Sequence, residues 1–323
     1  MTRVVAVHKT GGPEVMTLED WPLASPGAGE VAIRQTAIGL NFIDTYQRSG
    51  LYPVTLPFVA GSEGAGVVTA VGEGVSGFEV GDRVAYQGQL GAYAEERLVS
   101  AEKLVPVPDG VDDRTAAAVM LKGLTAFYLL FKTWPVQRGE TILWHAAAGG
   151  VGLIATQWAK ALGATVIGTA GSDSKVQLAK AHGCDHVINY NQEDFAERVR
   201  ELTGGRGVDV VYDGVGKSTF EKSLDCLRPR GLMVSFGNAS GVVSIPDITL
   251  LMRKGSLYVT RPTTAHYFAT REALLEGTTA LFGAIESGAI QVEIGRSFPL
   301  GEAAAAHQAL EARETTGSVV LLP

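Results

Sequence analysis

Residues 145–152 read His145-Ala146-Ala147-Ala148-Gly149-Gly150-Val151-Gly152, and this stretch decides the fold. An apolar segment, Thr141–His145, leads into it and is typical of a strand. The segment that follows, Gly150–Leu162, has its apolar residues at helical spacing. The stretch therefore predicts a glycine-rich turn that joins a buried strand to a helix.

Strand-like and helix-like segments alternate on the C-terminal side of this turn. The further strands are predicted at Thr165–Thr169, His186–Asn189, Val208–Tyr212, Gly231–Phe236 and Ser256–Thr260, and the further helices at Asp173–His182, Glu193–Thr203 and Ser218–Leu227. Such alternation is typical of a parallel sheet with helices on both faces. We therefore predict an α/β fold in which residues 122–262 form a doubly wound Rossmann domain.

Residues 1–121 follow a different pattern. Short apolar segments such as Glu30–Arg34, Ala65–Val71 and Arg83–Tyr86 are separated by glycine turns, which predicts a β-rich domain. One short helix is expected at Phe42–Arg48, with Asn41 as its N-cap.

The alternation stops after Pro262. Two helical segments, Arg271–Ser287 and Glu302–Arg313, and a final strand, Ser318–Leu322, are too few to build a third core. We therefore expect residues 263–323 to return to the first domain and complete it.

The composition favours a globular protein without polyanionic partners. Of the 323 residues, 46% are apolar and 19% are charged, which is typical of a chain with a large core. The formal net charge of −7 argues against attraction to nucleic acid or to an anionic membrane. Cys184 and Cys226 are expected to be buried thiols of a cytoplasmic protein. No apolar run reaches the length of a membrane span, which needs about 18 residues.

The glycine-rich turn has the chemistry that a dinucleotide diphosphate requires. Backbone N–H groups at a helix N-terminus bind the anion, and glycines keep side chains out of its way. We expect Gly149, Gly150 and Val151 to approach the diphosphate, and Gly152 to let the helix pack closely on the sheet. Ala147 stands where the usual fingerprint has its first glycine.

The end of the second strand of this domain selects the cofactor. NAD-binding domains place an acid about 20 residues past the turn to hold the ribose 2′-hydroxyl. Here that position is Ser172, with Lys175 close behind, and both favour a 2′-phosphate. Asp173 is expected to be the N-cap of the next helix. The pattern therefore predicts NADPH.

No metal site is predicted. A catalytic zinc needs three protein ligands, usually cysteine and histidine, but residues 1–121 contain no cysteine and only one histidine, His8. His182, Cys184 and His186 are interpreted as a helix-to-strand turn. No Gly-x-Ser-x-Gly element indicates a nucleophilic serine.

Three segments of the first domain carry a resemblance to a known family. Residues 39–46, 48–53 and 61–68 resemble the zinc-free branch of the medium-chain dehydrogenase/reductases. Zinc-dependent members carry a cysteine near Asn41 and a histidine at the position of Ser62. Residues 146–152, 187–190, 210–213, 231–238 and 255–262 resemble the NADPH:quinone oxidoreductases related to ζ-crystallin, so the similarity covers essentially the whole chain.

The resemblance implies a GroES-like catalytic domain beside the Rossmann domain, and it implies residue roles. Tyr46 and Tyr52 are implied as catalytic residues, although tyrosines in such places also serve as half-buried packing residues. The implied cofactor-binding residues are Asn41 and Tyr46 at the nicotinamide end, Thr125, the turn at Gly149–Gly152, Ser172, Lys175 and Tyr190 around the 2′-phosphate, Phe236, Gly237 and Asn238 along the sheet edge, and Arg313 from the tail. The family also suggests a homodimer.

The functional expectation is therefore NADPH:quinone oxidoreductase activity, with direct hydride transfer to a small-molecule quinone and without zinc. An enone or enoyl reductase acting on α,β-unsaturated carbonyls would share the fold and cofactor. A non-catalytic, NADPH-dependent RNA-binding protein is a further alternative, against which the net charge of −7 argues.

Overall fold

The computed structural model describes residues 1–323 and divides into two compact units. The first unit consists of Met1–Leu124, Phe268–Glu286 and Val292–Pro323, and the second of Thr125–Tyr267 and Ser287–Gln291. The main divisions thus fall a few residues after the predicted limits at 121 and 262. The short segment Ser287–Gln291 belongs to the second unit.

Sixteen strands and ten α-helices make up the two units. The strands are β1 Thr2–Val7, β2 Met16–Trp21, β3 Glu30–Leu40, β4 Phe58–Val59, β5 Glu63–Val71, β6 Arg83–Gln87, β7 Glu96–Ser100, β8 Val105–Pro106, β9 Thr141–Trp144, β10 Thr165–Ala170, β11 His186–Asn189, β12 Val208–Asp213, β13 Leu227–Ser235, β14 Tyr258–Thr260, β15 Ile294–Pro299 and β16 Ser318–Leu322. The helices are α1 Phe42–Ser49, α2 Asp113–Phe127, α3 Gly150–Ala161, α4 Asp173–Ala181, α5 Phe195–Leu202, α6 Phe220–Asp225, α7 Thr249–Arg253, α8 Thr264–Tyr267, α9 Arg271–Glu286 and α10 Ala303–Glu311.

The first unit is built on two sheets. The larger sheet runs β15-β16-β3-β5-β6-β8, with β7 also paired to β3, and the smaller runs β2-β1-β4. The C-terminal strand β16 pairs antiparallel with β3, so that Val320 lies opposite Gly39. Buried Val, Ile and Leu side chains from both the N-terminal strands and the C-terminal segment share one core. The unit therefore uses both ends of the chain.

The second unit is a parallel sheet of the order β11-β10-β9-β12-β13-β14. The chain starts at the central strand β9, builds outward to β11 and then returns to the other side of β9 through β12. This reversal of strand order creates the crevice at the carboxyl edge where doubly wound folds bind their ligands. The predicted fold class, a Rossmann sheet beside a β-rich GroES-like domain, is confirmed.

Several elements match the sequence analysis and others do not. The strands at His186–Asn189 and Ser318–Leu322 have the predicted bounds. Helix α2, the short helix α8 and strand β15 are additional elements that the periodicity did not reveal. Strand β15 contains two glycine or proline positions and is largely exposed, so it lacks the alternation that identifies a strand.

The prediction that no uninterrupted apolar run reaches the length of a membrane span holds, because Lys122 divides the most apolar helical segment. Asp113–Thr133, formed by α2 and the π-helical turn that continues it, is long and apolar enough by composition. However, 78% of its most apolar window is buried inside the protein. A helix that is apolar on all sides is also typical of a protein core, and this is how the segment is used here.

Candidate functional site

The glycine-rich turn forms an anion cradle at the start of α3. Gly149 is the N-cap, and no side chain caps the helix. The N–H of Ala147 donates to the carbonyl of Thr169 at 3.0 Å, and that of Gly149 to the carbonyl of Ala146 at 2.9 Å. The N–H groups of Gly150, Val151 and Gly152 have no acceptor within the chain. These orphan donors, at the positive end of the helix dipole, fit a diphosphate.

The surrounding backbone requires a glycine at position 152. A Cβ atom on Gly152 would lie 2.6 Å from the carbonyl oxygens of both Ala146 and Ala147, which no side chain tolerates. The departure at Ala147 also has an explanation. Its methyl group is buried against β10, where a Cβ on Gly168 would lie only 2.7 Å from it. The missing glycine of the turn is therefore matched by a glycine in the neighbouring strand.

The loop after β10 differs from its prediction in one respect. Ser172, and not Asp173, is the N-cap of α4, and its hydroxyl accepts from the N–H of Lys175 at 3.4 Å. The reason is the backbone, because Ser172 is extended whereas Asp173 is already in the helix. The Asp173 carboxylate instead accepts hydrogen bonds from the amides of Asn189 at 2.8 Å and Gln192 at 3.1 Å.

Ser172, Lys175 and Tyr190 come together around this loop. The Tyr190 hydroxyl lies over Gly171, where a Cβ atom would overlap it, and the Tyr190 side chain is exposed. Ser172 and Lys175 lie on the first turn of α4. The roles of these three residues around a 2′-phosphate stay predictions.

Phe236, Gly237 and Asn238 follow β13 at the same carboxyl edge of the sheet. The Arg261 guanidinium donates to the carbonyl of Gly237 at 3.0 Å and fixes the loop. Thr125 lies apart from this loop on α2, where its buried hydroxyl is hydrogen-bonded to Tyr128. The cofactor roles of all four residues remain predictions.

The predicted residues of the first unit lie on and beside α1. Asn41 is the N-cap of α1, as predicted, and forms a capping box with Asp44. Tyr46 and Tyr52 pack edge to face, with ring centroids 5.2 Å apart. Tyr46 is almost fully buried and Tyr52 is half-buried. Arg313 follows α10 and adopts a φ of 61°.

Sequence analysis missed a buried carboxylate beside Asn41. Glu63 is fully buried and accepts hydrogen bonds from the Asn41 amide at 2.7 Å, the Lys122 ammonium at 2.8 Å and the N–H of Leu121 at 2.6 Å. Gly39 leaves the room for it, because a Cβ atom there would overlap the carboxylate. An acid inside an apolar strand flanked by glycines was the available signal.

A second buried carboxylate, Asp44, lies one turn into α1. It accepts from the Ser62 hydroxyl at 2.8 Å, the N–H of Asn41 at 2.8 Å and the Tyr93 hydroxyl at 3.1 Å. Burial raises the pKa of Asp44 to about 6, although these hydrogen bonds oppose the effect. Ser62, at the position of a zinc ligand in other family branches, therefore serves a carboxylate here.

The Tyr93 hydroxyl continues the network to His307 in α10. It lies 2.9 Å from His307 Nε2, and His307 Nδ1 lies 3.2 Å from the Arg48 guanidinium. Arg48 also forms a two-pronged ion pair with Glu311, at 2.7 and 3.1 Å. Burial, together with the Arg48 charge, lowers the pKa of His307 to about 3. The histidine count for residues 1–121 missed His307, because the C-terminal helix brings it into this unit.

The other interpretations of the sequence can be compared directly with the structure. Cys184 and Cys226 are free and buried, as predicted, and burial raises the pKa of each to about 12. His182 and His186 flank the turn between α4 and β11 as expected. No group of three or more His, Cys, Asp or Glu side chains is arranged to hold a metal ion.

Comparison with known proteins gives consistent results. Residues 150–276 match the family model described as zinc-binding dehydrogenase, and residues 27–109 match the alcohol dehydrogenase GroES-like domain. A quinone oxidoreductase of Pseudomonas aeruginosa is 59% identical over 100% of both chains. A 2-haloacrylate reductase of a Burkholderia species is 50% identical over 100% of this chain and 99% of that protein. The crystal structure of Escherichia coli quinone oxidoreductase complexed with NADPH superimposes with a TM-score of 0.98 at 51% identity, covering 99% of this chain and 100% of that one.

Proposed function

We propose that this chain, which belongs to the quinone oxidoreductase family of medium-chain dehydrogenase/reductases, transfers a hydride from NADPH to a quinone without a metal ion. The observation that carries the proposal is the set of orphan N–H groups at Gly150, Val151 and Gly152 in front of α3. Full-length relatives named quinone oxidoreductase, and the NADPH complex of one of them, support it.

Preference for NADPH over NADH follows from the loop after β10. Ser172, Lys175 and Tyr190 offer donors to the 2′-phosphate. The nearby acid, Asp173, is held by Asn189 and Gln192. An acid that holds the ribose 2′-hydroxyl would be expected at the Ser172 position in an NAD-binding domain.

NADPH, when bound, supplies the hydride, and the quinone takes up that hydride and one proton to become the hydroquinone. The protein binds the cofactor and the quinone, orients them toward each other and excludes water. The turn at Gly149–Gly152 holds the diphosphate. Phe236, Gly237 and Asn238 lie along the bound cofactor at the carboxyl edge of the sheet. Asn41, held by Glu63 and by its place at the start of α1, orients the nicotinamide end. Tyr46 and Tyr52 orient the acceptor through their hydroxyls.

The residue types at two positions of the first unit support a mechanism without zinc. Asn41 and Ser62 stand where zinc-dependent relatives have cysteine and histidine. Both are used in hydrogen bonds to buried carboxylates, Asn41 to Glu63 and Ser62 to Asp44. Neither residue type is a common zinc ligand.

Steady-state kinetics with NADPH and 1,4-benzoquinone test the proposal. We expect NADPH oxidation that depends on the quinone, persists after treatment with a chelator and slows when the transferred hydrogen of NADPH is deuterium. Absence of NADPH oxidation with a series of quinones would refute the quinone assignment. Loss of activity on chelation would refute the metal-free mechanism.

A second candidate function is the reduction of an activated carbon–carbon double bond. It is favoured by the relative named 2-haloacrylate reductase, which is 50% identical over the full chain. A haloacrylate is an α,β-unsaturated carboxylate, so a hydride to its β-carbon and a proton to its α-carbon complete the reduction. Comparing kcat/KM for benzoquinone with that for 2-chloroacrylate on one enzyme preparation decides between the two acceptors.

We further propose that the protein is a cytoplasmic homodimer. Four large apolar side chains are exposed in the edge strand β14 and the segment that leads to it from β13: Val242 by 56%, Ile248 by 68%, Met252 by 65% and Tyr258 by 59%. An apolar patch beside an unpaired strand edge favours pairing with a second copy. Light scattering should give the mass of a dimer, and Ile248→Lys should shift it toward the monomer. A monomeric wild type would refute the dimer.

A further inference from the structure

We propose that His145 is a positioning residue for NADPH: its neutral imidazole, protonated at Nε2, ties the diphosphate-binding turn after β9 to the 2′-phosphate loop after β10. The inference rests on the proposed NADPH site and adds a residue that none of the predicted roles includes.

His145 is the first residue of the turn, directly after β9. Its side chain is buried at 2% exposure. Nδ1 lies 3.0 Å from the Thr169 hydroxyl on β10, and Nε2 lies 2.8 Å from the Ser223 hydroxyl on α6. The ring packs at right angles to Phe195, with centroids 4.9 Å apart. The imidazole therefore links the end of β9 to β10 and to α6.

The hydroxyl partners assign the tautomer. Ser223 donates its only hydroxyl proton to the carbonyl of Thr219 at 2.7 Å. Its oxygen is therefore the acceptor for His145, so Nε2 carries the proton. In the neutral ring Nδ1 is then an acceptor, and the Thr169 hydroxyl donates to it. Burial lowers the pKa of His145, which agrees with a neutral ring in this network.

Thr169 transmits this arrangement to the diphosphate turn. Its hydroxyl oxygen accepts from the N–H of Ala146 at 3.4 Å, and its carbonyl accepts from the N–H of Ala147 at 3.0 Å. Ala146 has a φ of 54°, a left-handed conformation that is unfavourable for a residue with a Cβ atom. The bonds to Thr169 hold the turn in this conformation, which leaves the N–H groups of Gly150–Gly152 directed outward.

Thr169 also belongs to the strand that leads to the second phosphate loop. It lies three residues before Ser172, near the carboxyl end of β10. A histidine that only filled the core would contribute to stability alone. A histidine that sets the relative position of two phosphate-binding segments should contribute to NADPH affinity as well, because binding geometry depends on both.

The decisive comparison is between His145→Phe and His145→Gln. Phenylalanine fills the space but cannot hydrogen-bond, whereas glutamine keeps one donor and one acceptor. We expect His145→Phe to raise the Kd for NADPH by about tenfold or more, as for loss of a buried hydrogen-bonded link. We expect His145→Gln to bind NADPH within a few-fold of wild type. His186→Gln, an exposed histidine at the amino end of β11, is the matched control and should leave Kd unchanged.

The Kd is measured by fluorescence titration with NADPH on the full-length protein, and ¹⁵N NMR of the imidazole reports the tautomer directly. A folded His145→Phe with the wild-type Kd would overturn the proposal, and so would a protonated Nδ1 in the wild type. If His145→Phe does not fold, Ser223→Ala decides. That variant removes the Nε2 acceptor, together with the bond from the Ser223 hydroxyl to the Thr219 carbonyl within α6, and should raise Kd several-fold. An unchanged Kd would overturn the proposal. Wild-type protein that fails to bind NADPH would instead refute the proposed function.

Discussion

Each unit of this protein contains a buried histidine that is held by hydrogen bonds on both ring nitrogens. In the first unit, His307 lies between the Arg48 guanidinium and the Tyr93 hydroxyl. In the second, His145 lies between the hydroxyls of Thr169 and Ser223. Arginine has no acceptor, so His307 Nδ1 accepts and Nε2 carries the proton. The two rings thus have the same tautomer.

The two histidines differ in the groups that surround their hydrogen-bond partners. The His307 network ends in charged groups, since Tyr93 donates to Asp44 and Arg48 pairs with Glu311. His145 itself is hydrogen-bonded to neutral hydroxyls, and the charge that acts on it is the buried Asp213 carboxylate, which is not one of its hydrogen-bond partners. Buried charges cost much more than buried hydroxyls when a partner is lost. We therefore expect substitutions in the first unit to act mainly on its stability, and substitutions in the second unit to act mainly on its ligand affinity.

The largest effect is expected from breaking the buried ion pair that lies beside the His307 network. Lys122→Met leaves the Glu63 carboxylate buried without its cation and should lower the free energy of unfolding by about 3–5 kcal/mol. Denaturant titration followed by circular dichroism measures it. The double variant Glu63→Gln/Lys122→Met should recover most of the loss, and no recovery would show that the charge is not the cause.

The pH dependence of stability should reveal the contribution of His307. The folded pKa of His307, about 3, is lower than its ordinary value of 6.5. Its contribution is therefore fully present above pH 6.5 and is lost as the pH falls toward 3, by about 1.4 kcal/mol per pH unit at most. His307→Gln keeps an acceptor for Arg48 and a donor for Tyr93 but does not titrate.

The difference in unfolding free energy between wild type and His307→Gln, measured from pH 7 to pH 4, tests this prediction. Wild type should lose stability relative to the variant as the pH falls. Asp44 acts with the opposite sign in both proteins, because its folded pKa of about 6 is raised, so its contribution is lost as the pH rises through 6. Taking the difference between the two proteins removes it. A constant difference over this range would contradict the assignment.

In the second unit the expected change is in affinity. Lys175→Ala removes an ammonium group from the proposed 2′-phosphate site and should raise KM for NADPH by about tenfold, as for loss of a charged hydrogen bond. KM for NADH and the free energy of unfolding should change little. Equal changes in KM for both cofactors would remove Lys175 from the 2′-phosphate site.

The smallest effect is expected at the tyrosine pair. Tyr52→Phe retains the ring that packs 5.2 Å from Tyr46 and removes only the hydroxyl. It should lower kcat/KM for benzoquinone by less than about tenfold, as for one neutral hydrogen bond to the acceptor. The Kd for NADPH should be unchanged, as a fluorescence titration can verify. An unaltered kcat/KM would leave Tyr52 as a packing residue.

Much of the second unit was predictable because its determinants are local. The strand, the glycine turn and the helix at residues 141–162 follow one another in the chain, and each has its own periodicity. Ser172 and Lys175, which we propose bind the 2′-phosphate, lie at a regular distance from that turn. In the loop after β10 the identity of the cap was wrong, because Ser172 and Asp173 are both good cap residues and the backbone angle chooses between them.

The buried networks were not predictable, since their members are distant in sequence. Arg48 and His307 are separated by 259 residues, and His145 and Ser223 by 78. No periodicity links such residues, and their contacts exist only after the strands have paired.

The sequence by itself determined the fold class, the cofactor turn and the family, because each of these depends on short segments of the chain. In such segments neighbouring residues set the backbone conformation. Only the tertiary structure decided which polar groups are buried together and which ring nitrogen of each buried histidine carries the proton. A hydrogen bond needs its two atoms within about 3 Å, and that distance is set by the packing of whole elements. His145 belongs to the stretch of sequence that decides the fold, but its proposed role depends on contacts with Thr169 and Ser223, which only the tertiary structure shows.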